Sequence, residues 1–282
     1  MSAVPPPKTV GIIGLGLIGT SLGLALRHRL PSVHVLGVDV NAGAVSTARE
    51  RGAIETGTSI AGLREADLVI VATPPAVVIS VARQAAEMMK PQSVLMDVTS
   101  YKAVIVEALD RGLPRGVHFV GGHPMAGAEG QGAARADRDL LAGRPFVVTP
   151  TARTDPRALA LVQDMVRQLG MVPVVMSPEA HDEAVAQVSH LPYLVAVAVV
   201  NAAGDGALKV GGPTMAAFVR VAGSPAELWA QITQANTPAL MHALADFRRE
   251  LDALERRLTD GPSLRIALAR AEQRSLTAGG SP

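Results

Sequence analysis

Short apolar runs rich in Val and Ile recur along the first 176 residues, and segments with helical spacing separate them. Seven runs are predicted strands, at residues 10–13, 33–38, 68–72, 94–97, 117–120, 145–149 and 172–176. Helices are predicted between them at residues 17–28, 42–51, 76–89, 103–111 and 156–169. Because continuous apolar strands alternate with helices, this pattern indicates a parallel sheet covered on both faces.

After residue 176 the strand pattern disappears and helical spacing takes over. Ser177, followed by Pro and Glu, is typical of a helix start, and Ser-Pro-Ala-Glu at 224–227 predicts a capping box. Apolar residues at steps of three and four over 240–258 predict an amphipathic helix. Its apolar stripe approaches a heptad seam, which favours a homodimer formed through this half. A helix packed on its own domain is the alternative.

A glycine-rich turn follows the first predicted strand. Gly14, Gly16 and Gly19 form G-x-G-x-x-G, and the next helix begins at Leu17 and Ile18. Gly14 permits the tight turn, Gly16 lets a pyrophosphate approach the backbone, and Gly19 lets the helix pack on the strand. The N–H groups of the first helical turn favour an anion. We therefore predict a Rossmann-type dinucleotide-binding domain over residues 1–176 and an all-helical domain over 177–282.

Two further segments concern the cofactor. Asp39 follows the second predicted strand, about twenty residues after the last glycine, where a carboxylate accepts hydrogen bonds from ribose hydroxyls and repels the extra phosphate of NADP. Residues 40–42 contain no Arg to neutralise that phosphate, so NAD is the predicted cofactor. Thr73 and Pro74 follow the third strand and form either a rigid turn against a flat ring or an ordinary strand-to-helix turn.

Composition narrows the class of protein. The 282 residues carry 26 Lys+Arg against 25 Asp+Glu, with no basic block, which argues against a nucleic-acid partner. Cysteine is absent, so disulfides, thiolate nucleophiles and Cys-ligated zinc are excluded, and no metal site is predicted. The most apolar run, residues 194–203, is too short to span a bilayer, and the N-terminus has no apolar signal core. We expect a soluble cytoplasmic protein.

Three polar residues stand in unusual settings. His123 lies between glycines and a proline at the end of an apolar strand, and its unperturbed pKa suits a proton acceptor. Ser100 follows another strand, where it caps the next helix or presents its hydroxyl to a ligand or an imidazole. His190 lies within a predicted helix just before Pro192, which should kink that helix. We predict His123 as the catalytic residue.

Several motifs, in this order, resemble the prephenate/arogenate dehydrogenase family: GIIGLGLIG, VATPP, DVTSYK, GGHPMAGAE, S-H-L-P and the segment 219–229. The resemblance covers nearly the whole chain. It implies an NAD(P)-binding domain, a helical dimerisation domain and an active site in the cleft between them. It also implies NAD-dependent oxidative decarboxylation of prephenate or arogenate to 4-hydroxyphenylpyruvate or tyrosine, in tyrosine biosynthesis.

The resemblance also implies roles for individual residues. His123 would take the proton of the ring hydroxyl, and Ser100 would orient that imidazole and the hydroxyl. Arg220 would pair with a substrate carboxylate through its fork of donors. His190 would line the substrate pocket, and Glu129 would help to gate it.

The chain departs from the family pattern at two places. Prephenate-using members commonly carry a second His at the position of Tyr193, and residues 215–217 are Met-Ala-Ala where Phe-Arg-Asp is frequent. These departures leave arogenate and prephenate about equally favoured. Two alternative functions stay open: another two-domain dehydrogenase or reductase acting on a β-hydroxy or imino acid, and a non-catalytic NAD-binding regulator. The first alternative often uses a catalytic Lys in the helical half, where only Lys209 is present.

Overall fold

A computed structural model of the chain describes residues 5–127 and 130–278. In this part of the chain eight strands form one sheet in the order β3-β2-β1-β4-β5-β6-β7-β8. The strands are β1 Thr9–Ile13, β2 His34–Val38, β3 Thr56–Gly57, β4 Leu68–Val71, β5 Val94–Asp97, β6 His118–Pro124, β7 Pro145–Thr149 and β8 Val172–Val175. The helices among them are α1 Leu17–Arg29, α2 Ala42–Glu50, α3 Val78–Met88, α4 Ala103–Asp110 and α5 Pro156–Gln168.

The sheet is mixed rather than purely parallel, which corrects the sequence prediction. The strands from β3 to β6 are parallel, whereas β7 pairs antiparallel with β6, and β8 runs parallel to β7. A parallel return needs a crossover, usually a helix. In the described part of the connection between β6 and β7 only a 3₁₀ turn, Ala133–Arg135, is present. The chain therefore returns in the opposite direction.

The sheet separates two apolar layers. Ile12 and Ile13 are neighbours in β1, yet Ile12 packs with α1 and α5 while Ile13 packs with α3 and α4, since successive side chains point to opposite faces of a strand. Burying a side chain of this size stabilises the fold by about 1.5–3 kcal/mol. Burial on both faces explains why the strands are continuous apolar runs in the sequence.

The helical part begins directly after the sheet. It contains α6 Pro178–Val185, a π-helical turn Ala186–His190, α7 Leu191–Ala202, α8 Asp205–Lys209, α9 Pro213–Ala222, α10 Ala226–Ala235, α11 Thr237–Arg257 and α12 Gly261–Ala278. The predicted helix start at Ser177 is confirmed, because its hydroxyl accepts the Ala180 N–H at 3.1 Å. The prediction of a capping box at 224–227 was wrong, because the Ser224 hydroxyl donates to the Val221 carbonyl instead. The amphipathic helix predicted over 240–258 is α11.

A π-helical turn lies directly before Pro192, where the sequence predicts a kink. The Leu191 N–H donates to the carbonyl of Ala186, five residues earlier. Proline has no N–H, and its ring collides with the carbonyl four residues before it, so the backbone widens at this point. Helices α6 and α7 thereby continue as one element.

That continuous segment, Pro178–Ala202, is long and apolar enough to cross a membrane by length and composition, which corrects the expectation that no such run exists. The core helices of soluble proteins meet the same criterion. Three of its polar residues, His181, Asp182 and His190, are buried and hydrogen-bonded within the protein. One face of the segment therefore packs on the rest of the chain.

Candidate active site

The glycine-rich turn exposes its backbone at the carboxyl end of β1. Gly14 has a φ of +95°, and a Cβ there would lie 2.5 Å from the Ala72 carbonyl oxygen. A Cβ on Gly19 would lie 1.9 Å from the Gly14 carbonyl oxygen, so both positions require glycine. Around Gly16, in contrast, no atom lies within 4 Å of an added Cβ. Gly16 is the N-cap of α1, and no side chain caps the first turn, which begins with Leu17 and Ile18.

Residues around this turn fit a dinucleotide. The Asp39 carboxylate accepts the Leu15 N–H at 2.7 Å and the Asn41 N–H at 2.8 Å, which fixes a negative charge beside the turn. The Thr73 hydroxyl is buried and has no hydrogen-bond partner among the described residues, while Pro74 beside it is exposed. A buried hydroxyl without a partner is available to hydrogen-bond a ligand, and the uncapped helix N-terminus favours phosphate. Both observations support the cofactor site that the sequence predicts.

His123 lies near the end of β6, opposite Val147 of β7, and is half-buried. Its Nδ1 lies 2.8 Å from Nε2 of His181, and the two rings meet edge to face with centroids 5.0 Å apart. Burial lowers the pKa of His123 well below its ordinary value, and a positive charge on Lys102, or on His181 or His190 when either is protonated, acts in the same direction. At neutral pH the imidazole is therefore unprotonated and able to accept a proton.

His181 and Asp182, which the sequence analysis did not select, connect the helical part to this site. The side chain of His181 is fully buried, and its Nδ1 lies 2.7 Å from Oδ1 of Asp182. The same carboxylate accepts the backbone N–H groups of Lys102 at 2.7 Å and Ala103 at 2.9 Å. Asp182 thus caps the N-terminus of α4 from a residue 80 positions along the chain.

This arrangement changes the expectations for Ser100. It does not cap α4, because the carboxylate of Asp182 takes that place. The imidazole of His123 has its Nδ1 partner in His181, and no hydrogen bond joins Ser100 to His123 among the described residues. Ser100 is half-buried on the segment between β5 and α4, and its contact with the substrate hydroxyl stays a prediction.

A buried ion pair lies on the same segment. The Lys102 ammonium pairs with the Asp97 carboxylate, and both side chains are fully buried. The same carboxylate accepts the Thr99 N–H at 2.9 Å. Burial lowers the pKa of Lys102, and the charges of Asp97 and Asp182 oppose that shift. The Lys102 ammonium of this pair contributes to the lowered pKa of the His123 imidazole.

His190 lies beside a stacked pair of aromatic residues, Trp229 and Tyr193. His190 is 1% exposed, its Nδ1 lies 3.2 Å from the Asn236 amide nitrogen, and that amide also donates to the Asp182 carbonyl at 2.7 Å. Burial, opposed by Asp182 and aided by His181, lowers the pKa of His190 to about 4. Trp229 meets the His190 ring edge-on, with centroids 6.1 Å apart. Tyr193 stacks on Trp229 at 4.0 Å, with an interplanar angle of 10°.

Three other residues were considered in the sequence analysis: Arg220, Glu129 and Lys209. Arg220 lies in the last turn of α9 and is exposed. Glu129 lies outside the described residues. Lys209, the lysine considered for the alternative dehydrogenase, is exposed at the end of α8. Among the described residues no group of three or more His, Asp or Glu side chains is arranged to hold a metal ion.

Comparisons with known proteins agree with this geometry. The nucleotide-binding domain of prephenate dehydrogenase matches residues 22–175, and its dimerization domain matches residues 177–268. The chain is 30% identical to the prephenate dehydrogenase of Bacillus subtilis (strain 168) over 257 residues, which are 87% of this chain and 69% of that protein.

Solved structures extend the likeness to the whole fold. The prephenate dehydrogenase from A. aeolicus, in complex with hydroxyphenyl propionate and NAD+, superposes with a TM-score of 0.89 at 29% identity, covering 99% of this chain and 100% of that one. Synechocystis arogenate dehydrogenase superposes with a TM-score of 0.83 at 30% identity, covering 96% of this chain and 99% of that one. These matches confirm the predicted Rossmann-type domain followed by helices. The chain belongs to the prephenate dehydrogenase family.

Proposed function

We propose that this protein catalyses the NAD-dependent oxidative decarboxylation of prephenate or arogenate, yielding 4-hydroxyphenylpyruvate or tyrosine. The observation that carries the proposal is His123, a neutral imidazole. It lies at the carboxyl ends of the parallel strands, where the glycine-rich turn also lies. Relatives at 29–30% identity are named prephenate dehydrogenase and arogenate dehydrogenase, which supports this substrate class.

The chemistry assigned to His123 is proton transfer. Its Nε2 takes the proton of the ring hydroxyl while the carbon that bears this hydroxyl loses its hydride. Carbon dioxide leaves from the opposite ring carbon, and the electrons of the broken bond make the ring aromatic. The proton then returns to the phenolate oxygen, so the reaction releases no net proton. A positioned base of this kind contributes about 10²- to 10⁴-fold to the rate.

NAD rather than NADP is the proposed cofactor. When bound, NAD supplies the hydride acceptor. Gly16 and the first turn of α1 would hold its pyrophosphate, and Thr73 with Pro74 would lie against its ring system. The Asp39 carboxylate, fixed by two backbone N–H groups, would accept the ribose hydroxyls and repel a 2′-phosphate.

Substrate contacts are proposed on both sides of the cleft. Ser100 would hold the ring hydroxyl beside His123, and Arg220 would pair with a carboxylate. His190, Tyr193 and Trp229 would form the wall against which the ring lies, and Glu129 would gate the entrance. The stacked Tyr193 replaces the second imidazole frequent in prephenate users, so arogenate remains an equal candidate.

We further propose two domains, residues 1–176 and 177–282, and a cytoplasmic homodimer formed through the helical domain. Several apolar side chains of this domain are exposed, including Leu251, Leu258 and Ile266. A second copy would cover such a surface.

The test is a direct comparison of the two substrates at equal concentration. NADH formation is followed for prephenate and for arogenate, each with NAD and with NADP. The proposal predicts turnover of at least one substrate, with NAD preferred. The absence of turnover in all four combinations would refute it.

A further inference from the structure

A chain of hydrogen bonds in the protein interior ends on the imidazole of His123. Asp182 Oδ1 lies 2.7 Å from His181 Nδ1, and His181 Nε2 lies 2.8 Å from His123 Nδ1. His181 is fully buried, and Asp182 is 6% exposed. Both belong to α6, whereas His123 belongs to β6. The chain therefore runs from the helical part into the sheet.

The direction of these hydrogen bonds follows from the groups involved. The Asp182 carboxylate already accepts two backbone N–H groups, and an ionised carboxylate can only accept. His181 must therefore carry a proton on Nδ1. A neutral imidazole protonated at Nδ1 has its lone pair on Nε2, so His181 accepts a hydrogen bond from His123. Within the described residues the hydrogen bond of the His123 ring is the one at Nδ1, and Nε2 makes none.

We infer that His181, held by Asp182, is a positioning residue that fixes His123 in the tautomer with its proton on Nδ1 and its lone pair on Nε2. The inference rests on the proposed function, in which Nε2 of His123 is the base. A His123 protonated at Nε2 could not take the hydroxyl proton. In serine proteases the corresponding loss of the correct tautomer lowers kcat by about 10⁴-fold.

The hydrogen bond between His123 and His181 also stabilises the state after proton transfer. Once Nε2 of His123 has taken the proton, the ring carries a positive charge in a site where burial disfavours charge. Its Nδ1–H then donates a charge-assisted hydrogen bond to His181, which is stronger than a neutral one. The buried carboxylate of Asp182 stands behind His181 and stabilises that charge at longer range.

The primary test reads the tautomer directly in the wild-type protein. The ¹⁵N resonances of His123 are measured at neutral pH in histidine-labelled protein and assigned by their loss in His123→Asn. We expect a protonated Nδ1 and an unprotonated Nε2. A doubly protonated His181 would donate instead and would move the proton of His123 to Nε2. That spectrum would overturn the inference without any variant.

Variants then test the consequence for catalysis. His181→Phe keeps a ring but removes the acceptor, so we expect kcat to fall about 100-fold or more while KM and NAD binding are unchanged. His181→Gln offers an amide oxygen in place of Nε2 and should restore part of kcat. His242→Phe, at an exposed position of α11, is the matched control and should resemble the wild type.

Full kcat in folded His181→Phe would contradict the inference. If that variant does not fold, His181→Gln and the wild-type spectrum still decide. If the wild type turns over neither substrate, the proposed function fails, whereas the tautomer of His123 is still measured. The two failures are thus distinguishable.

Discussion

Gly16 allows cofactor binding to be separated from folding. Its φ of −77° and ψ of −160° suit any residue, and a Cβ there meets no atom within 4 Å. Gly16→Ala reduces the freedom of the unfolded chain, which stabilises by about 0.4–1 kcal/mol, whereas Ala is a poorer N-cap than Gly by a similar amount. The two effects offset each other, so the free energy of unfolding should change by less than about 1 kcal/mol.

The same methyl group should weaken NAD binding strongly, because it occupies the space through which the pyrophosphate approaches the backbone. Loss of one charge-assisted hydrogen bond, about 1.5–3 kcal/mol, corresponds to a Kd roughly 10-fold to 100-fold higher. Isothermal titration calorimetry measures the Kd, and urea unfolding without cofactor measures the stability.

Gly212 supplies the matched control. It is also the N-cap of a helix, α9, with a φ of −82° and a ψ of −166°, and a Cβ there meets nothing within 4 Å. Gly212→Ala should therefore match Gly16→Ala in stability but bind NAD like the wild type. Unchanged NAD affinity in Gly16→Ala would refute the assignment of this turn to the pyrophosphate.

Four further variants test individual residues. His123→Asn should lower kcat by about 10²- to 10⁴-fold, whereas Lys209→Ala should leave kcat unchanged; the reverse would favour the lysine-dependent alternative. Asp39→Asn should raise kcat/KM with NADP relative to NAD, and an unchanged ratio would count against its role. Unfolded His190 binds a proton below about pH 6.5, but folded His190 does so only below about pH 4. The free energy of unfolding should therefore decrease by about 1.4 kcal/mol per pH unit as the pH is lowered from 6.5 to 4. Urea unfolding of His190→Gln should show a shallower decline.

Most elements of the sheet could be predicted because strands buried on both faces are continuous apolar runs. The direction of β7 could not, since an apolar run is the same whichever way the strand points. Strand β3 is only Thr56–Gly57, too short for any periodicity. The length and apolar composition of the helix Pro178–Ala202 were also missed, because only the run 194–203 was considered.

The parts of the candidate site that are local in sequence were accessible in the same way. Gly14, Gly16 and Gly19 act within one turn, and His123 stands out among its small neighbours. The partners of His181 and Asp182 lie 58 and 80 positions away, so no spacing reveals them. The one available signal was a His-Asp pair in the first turns of a helix that begins where the sheet ends.

The π-helical turn at Ala186–His190 has a consequence for the angular arrangement of this site. In a regular α-helix each residue advances by about 100°, so His181 and His190, nine positions apart, would point in opposite directions. The wide turn absorbs one residue and reduces their effective separation to about eight, or roughly 80° around the axis. Both imidazoles can then be buried on the same side of the segment, and both are buried. Deleting one residue within 186–189 should restore a regular α-helix and keep this alignment, whereas inserting one should rotate His190 away from it.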